Sequence, residues 1–500
     1  ILDSFKNISG LVINTTKSEA MWLGSSKDND MVGFGLKWVS EIKILGVYFC
    51  NSCSASSVKT NWERRIKTVK NIIQTWEKRN LSILGKVCVI KSFLVSQFIY
   101  IMKAICVPPQ ILTEINTLLF RFLWRKQNCN KKDFEKVKRC VLINDFSKGG
   151  INMVDVRLLQ ESFQCEWLQQ LSVASDQCKW SWIPRCHFSV FGRDFAFLKS
   201  TVGSKQFKGL DDVQSEFWKN SLKIWLSHNR KHTFTDIKTQ YLWNNENIKY
   251  QGKILYFKEW SKKGITYVND MLFNNTILLF QQVENLLGPS PALYLQYLVV
   301  HAAVSSFLKL NQHNVFDEFV ENSTVLFNDE KYTKAKQFRL YMTESVFNTP
   351  CCERFWQNKF EVSLDLNYWN LPKHTTTESR LIELQWKIFH NIYPTNILLF
   401  KMGIATSNKC PYCPNDVDFI EHFFFYCSKI KPVWKCVQDA FYGKFDKTIK
   451  LSKTDALLGI VENRNLSSSM VKYLNHLILI AKMSISKYRY GTPTVIQSII

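Results

Sequence analysis

The sequence predicts a mainly α protein with a small α+β piece at its N-terminus, a helical basic section behind it and a helical, zinc-containing C-terminal domain. Three observations carry this. Between residues 58 and 126 apolar side chains recur at helical spacing, and Pro108-Pro109 divides that stretch. Short β-branched and aromatic runs are confined mostly to the first 50 residues. Four metal-binding residue types cluster between 410 and 427. With 500 residues and 46% hydrophobic content the chain can build several cores, and roughly three domains are expected. The formal net charge of +23 points to a partner rich in negative charge. The 15 cysteines are odd in number and scattered, which fits a reducing intracellular compartment, cytoplasm or nucleus, better than a secreted disulfide framework.

In chain order, Ile1, Leu2, Phe5 and Ile8 form a helical stripe that Gly10 stops. Leu11–Ile13 and Ala20–Leu23 read as short strands around a polar turn. Residues 42–49 are β-branched and aromatic around Gly46, the pattern of a hairpin or kinked strand. Ile1 falls in mid-pattern, so the chain is expected to be a piece of a longer one. Residues 1–57 are taken as a first segment.

The second segment, 58–171, opens with Trp62, Ile66, Val69, Ile73 and Trp76, alternating steps of four and three, the seam of an amphipathic helix. A second helix starts near Ser82 with Ile83, Val87, Ile90, Leu94, Phe98, Ile101 and Ile105 inward. Pro109 suits the first turn of a third helix carrying Leu112, Ile115, Leu119 and Phe122. Residues 58–139 hold 18 Lys and Arg against 5 Asp and Glu. A face that is merely soluble mixes both signs, so the imbalance favours a polyanion over simple solvation. The most apolar run, Val87–Met102, is broken by Lys91, Ser92, Ser96 and Gln97, and no membrane span is expected. Lys148-Gly149-Gly150 punctuates before a helix over 155–171.

A third segment, 172–340, is rich in Trp and Phe, with helices expected near 211–228, 252–262, 278–287 and 291–310. Asp211-Asp212 reads as a helix start, and His301 and His313 have no partners at metal spacing. The fourth segment, 341–500, contains a clear helix over 378–390, Pro394 after it, and a last helix over 466–488 ending in basic residues.

Within that segment Cys410, Cys413, His422 and Cys427 follow the pattern C-x2-C-x8-H-x4-C. Two thiolates from one tight turn, with an imidazole and a third thiolate, complete a tetrahedron with no open position, the signature of structural Zn2+. Unrelated buried thiols are the competing reading. Cys50 and Cys53 repeat the C-x2-C spacing, but no His or Cys follows within 30 residues, and they read as ordinary thiols. Phe423–Tyr426 lie between two of the ligands and are expected to pack beneath the metal.

Taken together, these pieces resemble the C-terminal half of the reverse transcriptase of LINE-type (non-LTR) retrotransposons. The resemblance rests on Phe5–Glu19, on Lys43-Ile-Leu-Gly-Val-Tyr-Phe49, on Trp76–Lys86 with Ile90-Lys-Ser92, Tyr100 and Phe120–Trp124, on Lys148-Gly-Gly150 with Trp167, and on Tyr393-Pro-Thr-Asn396 before the Cys-Cys-His-Cys segment. It is densest at 1–170 and 380–440. It implies a palm edge with a primer-grip hairpin, a thumb, a connector and a zinc-binding domain that engage an RNA template and a DNA primer or target. Lys43, Val47 and Tyr48 would then hold the primer end. Arg64, Arg65, Lys67, Lys70, Lys86 and Lys91 would neutralise phosphates, and Lys409, Lys429 and Lys431 would flank a stacking surface by the zinc. The family's catalytic aspartates, with the Mg2+ and dNTP they handle, would lie upstream of Ile1. Asp455, Glu462 and Lys472 do not form the pattern of the downstream nuclease found in some members. A non-enzymatic, decayed or domesticated RNA- or DNA-binding protein is the alternative.

Overall fold

We describe a computed structural model of the chain, covering residues 2–12, 14–22, 35–51, 55–124, 135–174, 177–192, 195–228, 237–311, 334–462 and 465–490. The protein is mainly α, and its strands form only two-stranded pairs among the described residues. It divides into two compact units. One comprises Ile1–Phe98, Gln110–Asp155 and Val346–Ile500; the other comprises Ile99–Pro109 and Val156–Ser345.

In the first unit, Glu41–Ile44 and Val47–Cys50 pair antiparallel, Ile44 opposite Val47. Leu45 and Gly46 both take positive φ, the geometry of a two-residue hairpin turn that Gly46 makes possible. The helix Ala55–Glu77 lies against this hairpin. Its buried Asn61 accepts from the Tyr48 amide (2.9 Å) and donates to the Tyr48 carbonyl (2.8 Å), satisfying a strand edge with one side chain. Trp62, Ile66, Val69 and Ile73 are buried as their spacing predicts, each contributing about 1.5–3 kcal/mol relative to exposure. Trp62 stacks on Phe98.

The next helical run begins at Ile83, capped by the Ser82 hydroxyl, and contains a π segment, Ile90–Val95. Ile83, Val87, Ile90, Leu94, Phe98 and Ile101 are all buried. Ile83–Ala104 and Leu293–Leu310 have mean hydropathies of 1.5 and 1.3 and are long and apolar enough to cross a membrane by composition alone. Core helices meet the same test. Pro109–Trp124 follows, with Ile115, Leu119 and Phe122 inward.

The turn at 145–153 anchors this unit. Gly149 has φ 80°, and a Cβ there would lie 2.7 Å from Pro350 Cγ and 2.9 Å from Trp369. Its carbonyl accepts from Trp386 Nε1 (3.0 Å) and His390 Nε2 (2.7 Å). The Nε2 proton leaves His390 Nδ1 as acceptor, facing the Cys352 thiol at 3.7 Å. Trp386 and His390 belong to or directly follow the helix Ser379–Phe389, whose Glu383 also accepts from the Ile83 amide (2.7 Å). On the last helix, Ser468–Tyr490, the fully buried Lys482 donates to Gln385 Oε1 (2.6 Å) and Leu457 O (2.9 Å), and burial pushes its pKa far down.

In the second unit, Val156–Val173 packs against Glu216–His228 and Ala335–Ser345. Glu166 accepts from the Ala335 amide, and Trp225 Nε1 donates to the Leu198 carbonyl. Helices Phe280–Leu287 and Leu293–Asn311 match expectation.

Leu2–Ser9 is helical as the stripe predicts, with Phe5 and Ile8 50% and 87% exposed. Several expectations fail. Leu11 and Val12 are exposed coil, not strand, with no pairing edge beside them among the described residues; Ile13 lies outside that description. The strand expected at 20–23 is Glu19–Ala20, paired parallel with Lys37–Trp38; Leu23 is outside the description. The helix expected from 252 is a tiny hairpin, Lys249–Tyr250 with Lys253–Ile254, turned by Gln251 and Gly252 at positive φ, and only Lys258–Lys262 is helical. His313 also falls outside the described residues, while His301 packs against Tyr297.

Two measurements test the anchor. A Cβ at Gly150 would sit 2.0 Å from the Asn144 carbonyl oxygen, so Gly150→Ala should cost about 2–4 kcal/mol in urea unfolding. Burial lowers the His390 pKa to about 4, below its unfolded value near 6.5. The unfolded chain therefore gains the proton first as pH falls, and stability drops as the pH moves from 6.5 towards 4. Between pH 7 and 5 the loss attributable to this group should be about 2 kcal/mol; it should be absent in His390→Gln and therefore appear as the pH dependence of the wild-type-minus-variant difference.

Candidate metal centre

Cys410, Cys413, His422 and Cys427 converge on one point. One ligand atom from each lies within 4.8 Å of the others. Cys410 Sγ and Cys413 Sγ stand 3.9 and 3.8 Å from Cys427 Sγ, far beyond a disulfide bond. Tetrahedral thiolates at zinc–sulfur distances of about 2.3 Å would be roughly 3.8 Å apart. His422 Nε2 is buried and has no hydrogen-bond partner among the described residues, the condition of a donor atom reserved for a metal. The donor set fits structural Zn2+.

Local structure explains the convergence. The Cys410-Pro-Tyr-Cys413 turn is closed by the Cys410 amide on the Asp416 carbonyl (2.9 Å) and by the Asp416 amide on the Cys413 carbonyl (3.0 Å). Lys409 and Val417 bridge antiparallel beside it. His422 opens a π segment, His422–Tyr426, and the Cys427 amide returns to the His422 carbonyl (3.0 Å). The wider π turn brings His422 and Cys427 to one side while Phe423 and Phe424 point into the core. There both rings pack against Tyr393, at 5.1 and 4.8 Å, and Trp434 Nε1 donates to the Phe424 carbonyl. Tyr426 is half exposed, so only part of the aromatic run lies beneath the centre. Asn396, which starts a short helix after Pro394, donates from Nδ2 to the Lys409 carbonyl (2.8 Å).

Burial pushes the Cys427 thiol up to about 12, while hydrogen bonds from Ser428 lower Cys413. Burial also lowers His422, keeping the imidazole neutral as ligation requires. Asp416 stands 4.0 Å from His422 Nδ1. Two further residues, invisible in the spacing, complete the surroundings. Arg489 Nη2 donates to Cys410 Sγ (3.3 Å) and to Asp418 Oδ1 (2.8 Å).

Residues 342–434 match the family described as zinc-binding in reverse transcriptase. This region of the chain is therefore reverse-transcriptase-related, and its Cys3His cluster is the natural seat of a structural zinc.

The other candidate residues divide. Lys43 is exposed, its ammonium 5.4 Å above the Tyr48 ring, and Arg64 Nη1 lies 3.4 Å from the Tyr48 hydroxyl, so hairpin and helix share one cationic, aromatic surface. Val47 is 2% exposed and serves as core, not as a contact, because it sits on the strand face turned to the helix. Lys67 is exposed and Arg65 half-buried. Lys70 pairs with Glu114 at 3.0 Å, an exposed bond weak enough to be exchanged for phosphate. Lys86 is half-buried and donates to the Leu123 carbonyl (3.3 Å) at the end of the Pro109–Trp124 helix. Lys91 is exposed on the π segment. Lys409, Lys429 and Lys431 are exposed around the metal ligands. Cys50 lies away from this cluster, and Cys53 lies outside the described residues. Asp211 pairs with Lys219 and Asp212 with Lys258, so neither carboxylate is poised for a metal. Asp455 closes a capping box with Ser452.

Elemental analysis of the purified chain should give one zinc per molecule. Cys427→Ser should weaken zinc binding at least roughly 100-fold in a chelator competition, because the buried hydroxyl cannot replace a thiolate.

Proposed function

We propose that this chain is the nucleic-acid-gripping C-terminal part of an RNA-directed DNA polymerase of the LINE type. In this reading the 41–50 hairpin is a primer grip, the helices from Ala55 to Trp124 are a thumb, and the zinc centre supports a second nucleic-acid contact. The match of residues 342–434 to the reverse-transcriptase zinc-binding family carries the proposal. The exposed cations Lys43, Arg64, Lys67 and Lys91 support it, as does the surplus of positive charge between 58 and 139.

Mechanistically, Lys and Arg on the outer face of Ala55–Glu77 would release counterions from a template–primer duplex, giving affinity without sequence choice. Tyr48, with Lys43 and Arg64 beside its ring and hydroxyl, would orient the strand end. Zinc would supply rigidity to the 409–431 loops, so that Lys409, Lys429, Lys431 and the half-exposed Tyr426 present a fixed surface. No bond-making step is assigned to residues of this chain.

Fluorescence anisotropy with an RNA–DNA hybrid across a salt series tests the reading. Binding should weaken steeply and linearly in log–log form. Arg64→Glu combined with Lys67→Glu should lower affinity and reduce the slope by about 2. Salt-independent binding, or none, would defeat the proposal.

A further inference from the structure

We propose that Arg489, in the last turn of the final helix, is a positioning residue of the zinc centre that sets its metal affinity and couples metal occupancy to the seating of that helix. The proposal rests on the zinc reading above but concerns a residue well beyond the matched segment 342–434. The Arg489 side chain is only 2% exposed. Its Nη2 reaches both Cys410 Sγ (3.3 Å) and Asp418 Oδ1 (2.8 Å), and Nη1 stands 3.4 Å from the Phe423 carbonyl. Its guanidinium lies 4.0 Å over the Phe423 ring. Asp418 is itself 1% exposed, and its second oxygen accepts from the Asn396 amide (2.9 Å). A planar, permanently charged fork is thus held on several sides with one arm on a ligand sulfur.

Charge explains what the arm does. Zinc with three thiolates and a neutral imidazole carries one net negative charge, and burying that charge is costly without a compensating cation. The N–H···S bond from Arg489 supplies one at the ligand atom, and outer partners of this kind typically change metal affinity by roughly 10–100-fold. The same arm joins the Ser468–Tyr490 helix to the Cys410 turn, and Tyr412 on that turn stacks on Tyr488 (5.6 Å). Losing the metal loosens the turn, and with it the seat of the helix end.

The competing possibility is that Arg489 serves only as counterion to Asp418. Removing the arginine alone would strand a buried carboxylate, so the deciding variant is the double substitution Asp418→Asn with Arg489→Met, which leaves no unpaired buried charge and keeps an acceptor for Asn396. In the full chain, competition with a chromophoric chelator should show zinc held roughly 10–100-fold more weakly than in wild type, with Arg489→Lys between the two. The thiolate-to-metal charge-transfer band of the Co2+-loaded double variant should shift, because a hydrogen bond to sulfur has gone. Zinc removal from wild type should speed hydrogen exchange in 468–490. A double variant with wild-type affinity and an unshifted band overturns this inference while leaving the zinc centre standing. A wild-type chain that holds no zinc overturns both.

Discussion

The carbonyl oxygen of Gly149 takes two hydrogen bonds, from an indole and an imidazole more than two hundred residues further along the chain. Much of the first unit depends on that junction. The 145–153 turn can approach only because Gly149 and Gly150 lack side chains, and the approach is worth making because Trp369, Trp386 and His390 form a buried aromatic floor beneath it. The helix that supplies Trp386 also supplies Glu383 to the start of the Ile83 run and Gln385 to Lys482. One helix, Ser379–Phe389, therefore satisfies polar groups from three parts of the chain that sequence order keeps far apart.

What could be read from the sequence was what depends on neighbours in the sequence. The Trp62–Ile73 seam, the break at Pro108-Pro109 and the helix over 379–389 are set by periodicity and by backbone chemistry, and the structure has them. The four metal-binding residues were legible because a turn fixes the first two and a short helical segment the others. The failures are non-local. The 249–254 hairpin is too short to show an alternating pattern, and Gln251 adopts a backbone conformation its residue type does not advertise. Asn61, Asp418 and Arg489 carry no spacing signal. Each matters because the fold brings it to a backbone edge or a sulfur, and for Arg489 the only cue was a helix ending in basic residues.

Charge shows the same division. The excess of cations in the helical section is a property of composition, but the fate of each one is a property of packing. Lys86 is used to finish a helix end and Lys70 is held by Glu114. What remains outward around the hairpin is smaller than the count suggests and more concentrated, with Lys43, Tyr48 and Arg64 within reach of one another.

The interleaving of the two units has a consequence for biosynthesis. Residues 156–345, the larger part of the second unit, leave the ribosome between the two halves of the first. At about 5–20 residues per second that interval lasts on the order of ten to forty seconds. Throughout it the Ile83 run and the Gly149 turn must wait without their aromatic floor, their apolar faces open to solvent and to chaperones. Residues 99–109, the rest of the second unit, have been made by then, so the second unit's chain is complete at residue 345, before that of the first.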